Sequence, residues 1–304
     1  MPFFFKLTVI SMTSLLLWSD TGDSVHAQVP SPTLSSSPTP THRDVVYDDD
    51  HPAQRMDVYL TKSNEPTAAM IFIHGGGWRA GSKKNVPKWL MSLVADGKLS
   101  VISVEYRFTD VESHPAQVHD CLRAVQFVRG QAEEWNLDPS KLGVTGGSAG
   151  GHLTAYVALV DDAAKPDSKD QIEQQSSRVA CAVSFAGPTD WTLLQTIEHK
   201  HPAYRQLIGH EPGTPVEQLE SELIKDVSPI SFASTDDPPV MQVHGDKDSI
   251  VPLKHASSLH EKLESLGVRS ELVVIPGGTH RVAGAGEEVT EQATKFVKQH
   301  LLTL

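Results

Sequence analysis

The chain is poor in the residues that several functional classes require. Cysteine occurs twice in 304 residues, too few for a disulfide framework or a CxxC metal site. No HExxH pair offers zinc a helical ligand set. Basic residues are in the minority: 26 Lys and Arg stand against 38 Asp and Glu, a formal net charge of −12. Such a chain repels phosphate backbones and anionic lipid at long range, which argues against nucleic acid or a membrane surface as a non-specific partner. No apolar run reaches the roughly 20 residues that a membrane-spanning helix needs. No G-x-x-x-x-G-K-[ST] loop is present to cradle a nucleotide phosphate, and no internal repeat is visible. What remains, at 39% hydrophobic residues, is an acidic chain able to bury a core, long enough for one large α/β domain with terminal extras.

The first residues read as a leader. Leu7 to Trp18 is mostly apolar but broken by Thr8, Ser11, Thr13 and Ser14, with Lys6 before it and the small-residue site Val25-His26-Ala27 after it. This pattern predicts a secretory signal over residues 1–27 and an exported product, secreted or periplasmic. The following Gln28 to Thr41, QVPSPTLSSSPTPT, is too rich in Pro, Ser and Thr to bury a core and predicts an extended spacer over 28–43. The folded domain is then expected over 44–304, starting near Asp44. Cys121 and Cys181 sit in apolar-periodic segments and are expected as buried free thiols.

From Asp44 onward, β-rich runs alternate with helical patterns. Val45 to Tyr47 and Asp57 to Leu60 read as an edge pair of strands; Ala69 to His74 (AMIFIH) reads as a strand buried on both faces. Helix Val86 to Ala95, strand Leu99 to Glu105 and a helix with Val118, Cys121, Leu122 and Val125 on one face follow. Strand Leu142 to Thr145 leads into helix Ala149 to Val160; Val179 to Phe185, Val240 to His244 and Glu271 to Ile275 are further strands. Helices are expected over Lys254 to Leu266 and through Val289, Ala293, Phe296, Val297 and Leu301. This alternation predicts a doubly wound, mostly parallel sheet whose ligands sit beyond the carboxyl ends of the strands. Residues 187–235 break the rhythm and predict a lid-like insertion over those ends.

Four motifs fall at strand ends. Gly146-Gly147-Ser148-Ala149-Gly150 lies between a strand and a helix, where small neighbours let a serine occupy a sharp, exposed turn as nucleophile. His74-Gly75-Gly76-Gly77-Trp78 can direct backbone amides at a substrate; Gly76 and Gly77, with the Ala149 amide at the helix start, are the candidate oxyanion donors. His74 itself reads as scaffold. His244-Gly245-Asp246-Lys247-Asp248 offers two acids, Asp246 and Asp248, which spacing does not separate; the spare one is expected to cap a turn or the helix near Pro252. Gly277-Gly278-Thr279-His280 places a histidine on a loop after a strand, whereas His255 and His260 lie on a helix. The order Ser148, Asp, His280 is that of a nucleophile–acid–base triad on a parallel α/β sheet. Trp78 and Trp191 are candidates for stacking on a sugar or aryl group, with core packing the preferred reading for Trp78.

With these residues in view the sequence resembles α/β-hydrolase-fold esterases, of the hormone-sensitive-lipase-like group and of the bifunctional feruloyl/acetyl-xylan esterase type. The likeness runs from Asp44 to Leu304 through HGGGW, SVEYRF (from Ser103), GVTGGSAGGHL (from Gly143), SPI (from Ser228), HGDKDSIVP and GGTH. It implies that the acid is the aspartate of H-G-x-x-D, Asp248. Gly147 stands where hormone-sensitive-lipase-like members commonly carry an aspartate, which tilts the match toward the xylan-esterase type. The resemblance implies a serine esterase acting on a small-molecule or glycan ester with no metal or organic cofactor. The stretch Phe108 to Gln117 departs from the acidic-proline pattern of relatives. Two other functions share the constellation. One is a serine peptidase like the prolyl oligopeptidase catalytic domain, whose peptide-filtering domain has no room in 304 residues. The other is a non-catalytic hydrolase-fold binding protein, whose usual mark is a lost triad residue.

Overall fold

The nearly continuous apolar runs become the middle of one sheet. The computed structural model describes residues 8–9, 38–195, 201–282 and 286–302; the expected leader and spacer lie outside them except for 8–9 and 38–43. In chain order the strands are β1 (Thr8–Val9), β2 (His42–Val46), β3 (Arg55–Tyr59), β4 (Thr67–Ile73), β5 (Ser100–Val104), β6 (Leu137–Gly147), β7 (Cys181–Phe185), β8 (Val240–Gly245) and β9 (Ser270–Ile275). Among the described residues they form one sheet in the order β1-β9-β8-β7-β6-β4-β5-β3-β2. Only the β2–β3 and β3–β5 pairings are antiparallel; β1 contributes two residues alongside Val273 and Val274.

The helices are α1 (Lys88–Ala95), α2 (Ala116–Gly130), α3 (Ala149–Leu159), α4 (Ala203–Leu207), α5 (Ser221–Asp226), α6 (Lys254–Ser265) and α7 (Glu287–Val297). They divide the core into two layers. One gathers Val125 of α2, Leu153 of α3 and Leu259 of α6; the other gathers Leu90 of α1 and Phe296 of α7. Burying both sheet faces in this way is what the apolar strands require. Cys121 and Cys181 are buried and free; burial alone pushes the Cys181 thiol up to about 12. No helix among the described residues is long and apolar enough to cross a membrane.

The boundaries move in places. Strand β2 opens at His42, two residues before Asp44, and Thr41 N–H already donates to the Val58 carbonyl at 2.7 Å: strand pairing uses backbone groups and ignores composition. β6 starts five residues before the expected Leu142, extending through the polar Asp138-Pro139-Ser140-Lys141. Helix α1 starts at Lys88 rather than Val86, because Pro87, in an extended conformation, precedes it.

Strand register sets up the site. Ile73 lies opposite both Val104 and Gly146, Gly147 opposite Phe185, and Gly245 opposite Ile275. The loops that follow β4, β6, β8 and β9 therefore leave the sheet at one edge. The described residues of 187–235 lie between β7 and β8: Trp191, Tyr204, Leu207 and Val227 are buried within the main core, and Pro188, His201 and Tyr204 line the cavity beside Ser148.

Candidate active site

The turn after β6 is forced by crowding. A Cβ on Gly146 would lie 2.4 Å from the Ile73 carbonyl oxygen, and one on Gly150 would lie 2.0 Å from the same atom. Only glycine lets α3 start this close to the end of β4. Between them Ser148 adopts φ 56°, ψ −120°, a conformation that non-glycine residues rarely occupy and that costs on the order of 1–3 kcal/mol. Its amide is tied to the Phe185 carbonyl at 2.8 Å.

His280 and Asp248 meet this serine. His280 Nε2 is 2.8 Å from Ser148 Oγ, and His280 Nδ1 is 2.8 Å from Asp248 Oδ2. The Asp248 side chain is fully buried. Burial would raise its pKa, but hydrogen bonds from His244 and His280 and from the Val251 and Ile250 amides outweigh that and hold the carboxyl well below the usual carboxylate range. An ionised Asp248 only accepts, so the His280 proton belongs on Nδ1 and Nε2 is left to accept from the serine hydroxyl. His244 Nε2 donates to the Val251 carbonyl at 2.7 Å and lies 3.4 Å from Asp248 Oδ2, so the loop carrying the acid is fixed from β8.

The two aspartates left open by spacing part company here. Asp246 is exposed and its Oδ1 accepts from the Gly277 amide at 2.7 Å. Asp246 therefore braces the β8 loop to the β9 loop. This corrects the expectation that the spare acid caps a turn or the Pro252 helix: its hydrogen-bond partner is an amide on the loop after the neighbouring strand.

The HGGGW loop runs past the serine turn. Gly76 and Gly77 have φ +127° and +62°, and a Cβ on Gly75 would lie 2.5 Å from the Gly147 carbonyl oxygen. Among the described residues the amides of Gly76, Gly77 and Ala149 find no protein acceptor. His74 is scaffold: it stacks on Tyr106 with ring centroids 4.5 Å apart, and the Tyr106 hydroxyl donates to its carbonyl at 3.0 Å.

Trp78, with φ 56° and buried, donates from its indole to His152 Nδ1 at 3.2 Å, while His152 Nε2 donates to the Val227 carbonyl at 2.9 Å. Burial lowers the His152 pKa to about 3, against the Val227 hydrogen bond that opposes it, so the ring is neutral. His152, quoted in GVTGGSAGGHL without a role, and His244, the first residue of its own motif, are the partners that sequence reasoning missed. Both stood inside recognised motifs, but the groups they bind lie on other elements. Trp191 is fully buried and does not reach the cleft, which overturns its candidacy for stacking on substrate; its ring lies 4.8 Å from His152 instead.

Two cavities flank Ser148 and His280. The larger, about 420 Å³, has Gly76, Gly77, Arg79, His201 and Tyr204 in its wall. The smaller, about 260 Å³, is walled by Phe72, Trp89, Phe185 and Val282. The site thus sets a hydroxyl, a base and unpaired amides between a recess that carries Arg79 and His201 and one lined by aromatic rings.

Comparison with known proteins places this arrangement. The BD-FAE family model matches residues 56–263. The chain is 33% identical over 216 residues to the "Probable carboxylic ester hydrolase LipM" of Mycobacterium tuberculosis, covering 70% of this chain and 48% of that protein. It thus spans about half the length of that curated relative. Among solved structures, a "Truncated form of carbohydrate esterase from gut microbiota" superposes with a TM-score of 0.77 at 26% identity, over 88% of this chain and 99% of that one. An "acetyl ester-xyloside bifunctional hydrolase" from Caldicellulosiruptor lactoaceticus superposes with a TM-score of 0.70 at 26% identity, over 81% and 87%. With its parallel sheet, flanking helices and match over most of its folded length, the chain belongs to the BD-FAE family and has the α/β-hydrolase fold.

Proposed function

We propose that the protein is a serine carboxylic-ester hydrolase that works through an acyl-enzyme. The observation that carries this reading is the unbroken relay from Ser148 Oγ through His280 to Asp248, at 2.8 Å and 2.8 Å, beside unpaired amides. Ser148 Oγ attacks the ester carbonyl carbon as His280 Nε2 takes its proton; Asp248 holds the ring in the needed tautomer and stabilises the imidazolium. The carbonyl oxygen becomes an oxyanion that accepts from the Gly76, Gly77 and Ala149 amides, each such donor contributing about 3 kcal/mol in comparable sites. Collapse breaks the bond to the alcohol oxygen, which leaves with the proton from His280. Water, deprotonated by the same base, then frees the acid and restores Ser148.

For substrate we propose an acylated carbohydrate outside the cytoplasm. Solved structures described as "carbohydrate esterase" and "acetyl ester-xyloside bifunctional hydrolase" and the leader and spacer expected from the sequence support it. The mechanism is tested by Ser148→Ala, expected to abolish 4-nitrophenyl acetate turnover, a loss of at least about 10⁴-fold, and labelling by a fluorophosphonate probe while the thermal midpoint stays unchanged. Retained turnover would end the reading. Asp248→Asn should lower kcat by about 10⁴-fold through the wrong His280 tautomer, and Asp246→Asn by less than about tenfold, since an amide oxygen still accepts from Gly277. Release of acetate or ferulate from acylated xylan, and mass determination of the exported chain, check substrate and export.

A further inference from the structure

Among the described residues, Arg79, the residue after the HGGGW loop, is the one in the wall of the larger cavity that is charged at every working pH, and none of those lining it is a carboxylate. The Arg79 Nη1 donates to Gln206 Oε1 on α4 at 3.0 Å, a neutral partner that orients the guanidinium without cancelling its charge. Among the described residues no acid pairs with Arg79. Arg107 faces Asp120 and Glu112, Arg123 faces Asp48 and Asp170, and Arg178 faces Asp236. Among the described residues the rest of the Arg79 fork makes no hydrogen bond. Beside it, His201 Nδ1 accepts from the Ala203 amide at 3.3 Å, so a neutral His201 ring carries its proton on Nε2 as a second donor. Burial first, then the nearby Arg79, lower the His201 pKa, which favours the neutral ring. In a chain of net charge −12 no long-range field draws anions in, so an uncompensated cation here acts at contact range.

We infer that Arg79 makes the cleft select esters that carry a carboxylate on the portion seated in the 420 Å³ cavity. The acid is either on the acyl chain, as in a dicarboxylic half-ester, or on the alcohol, as in a uronic acid. A guanidinium fork matches the two oxygens of a carboxylate, and Ser148 borders the same cavity as Arg79. The inference rests on the serine-esterase reading and names its substrate class.

Two matched pairs test it and separate the sources. 4-Acetoxybenzoate against its methyl ester places the carboxylate on the alcohol; 4-nitrophenyl hydrogen glutarate against its methyl ester places it on the acyl chain. The quantity read is the anionic-to-neutral ratio of kcat/KM in wild type and in Arg79→Gln, in which intrinsic ester reactivity cancels. For one pair the ratio should fall by about ten- to a hundredfold in Arg79→Gln, the range of a charge-assisted hydrogen bond, and Arg79→Lys should recover only part of it. The pair that responds identifies the side. A ratio unmoved in both pairs, with neutral esters still hydrolysed, overturns the inference and leaves the esterase reading standing. Folded wild type that hydrolyses neither member of either pair overturns both. If the 4-acetoxybenzoate pair responds, product inhibition of wild type needs no variant: 4-hydroxybenzoate should inhibit more strongly than methyl 4-hydroxybenzoate, and equal inhibition then overturns the inference.

Discussion

The serine turn and the HGGGW loop both direct amides at the same point, yet they are held in place by different means. The turn is fixed by backbone against backbone: Gly146 and Gly150 leave no space for a Cβ beside the Ile73 carbonyl, and the Ser148 amide is tied to Phe185. The HGGGW loop is fixed largely by side chains from elsewhere. Trp78 is tied to His152 on α3, and His152 to the carbonyl of Val227 beyond α5. Backbone crowding admits one residue type at each position, whereas a side-chain tether can be shortened, removed or protonated. The two halves of one oxyanion site should therefore fail in different ways.

The largest effect is expected at the turn. Gly150→Ala puts a methyl group 2.0 Å from a carbonyl oxygen and 2.7 Å from the His74 carbonyl oxygen, and both neighbours are backbone that cannot rotate away. Destabilisation of at least about 3 kcal/mol is expected, with turnover falling by more than about a thousandfold as α3 shifts and carries Ser148 and Ala149 with it. Chemical denaturation and initial rates measure the two. A variant of wild-type stability and rate would show that the turn is not held by crowding.

Trp78→Phe tests the loop and should have an intermediate effect. Phenylalanine keeps most of the ring in the core but removes the indole N–H, leaving His152 Nδ1 buried without a donor, a cost of about 1–3 kcal/mol. The loop then loses its tether, and kcat should fall about tenfold with KM little changed, since the Gly76 and Gly77 amides act on the oxyanion rather than on the ground state. An equal rise in KM with kcat untouched would mean that Trp78 shapes the cavity and does not position the amides.

The same contrast explains how much was legible. The turn could be read because its constraint is local: five consecutive residues state that glycine is required at both ends. Strand order and core faces followed from apolar periodicity, and misplacements such as the β6 start came from polar residues that pair through backbone alone. The tether could not be read, because Trp78, His152 and Val227 are 74 and 75 residues apart and only the folded chain brings them together. Asp246 and Asp248 are the intermediate case. Resemblance pointed to Asp248, but the reason lies in the amides of Ile250 and Val251 and the rings of His244 and His280, which surround one carboxylate and leave the other to Gly277.

Acid gives the finest test, because the tether contains a titratable group and the glycine turn does not. His152 has its pKa lowered by burial from 6.5 to about 3. The unfolded chain takes up the proton below pH 6.5 while the folded chain refuses it, so this contribution is complete above pH 6.5 and is lost as pH falls toward 3. Between pH 7 and pH 5 the loss from this one ring is about 2 kcal/mol. Asp248 has the same sign, but its loss starts only below the ordinary carboxylate value of 3.8. Lowered values for His114, His201 and His300 act in the same window as His152, so the wild-type slope alone does not isolate the tether. His152→Gln does, since the variant keeps those rings and lacks only the buried one. Urea unfolding at pH 7 and pH 5 should show wild type losing about 2 kcal/mol more than the variant over that interval. Equal losses would mean that His152 is hydrated or already charged in the folded state, and the tether could not then be a neutral imidazole accepting from Trp78.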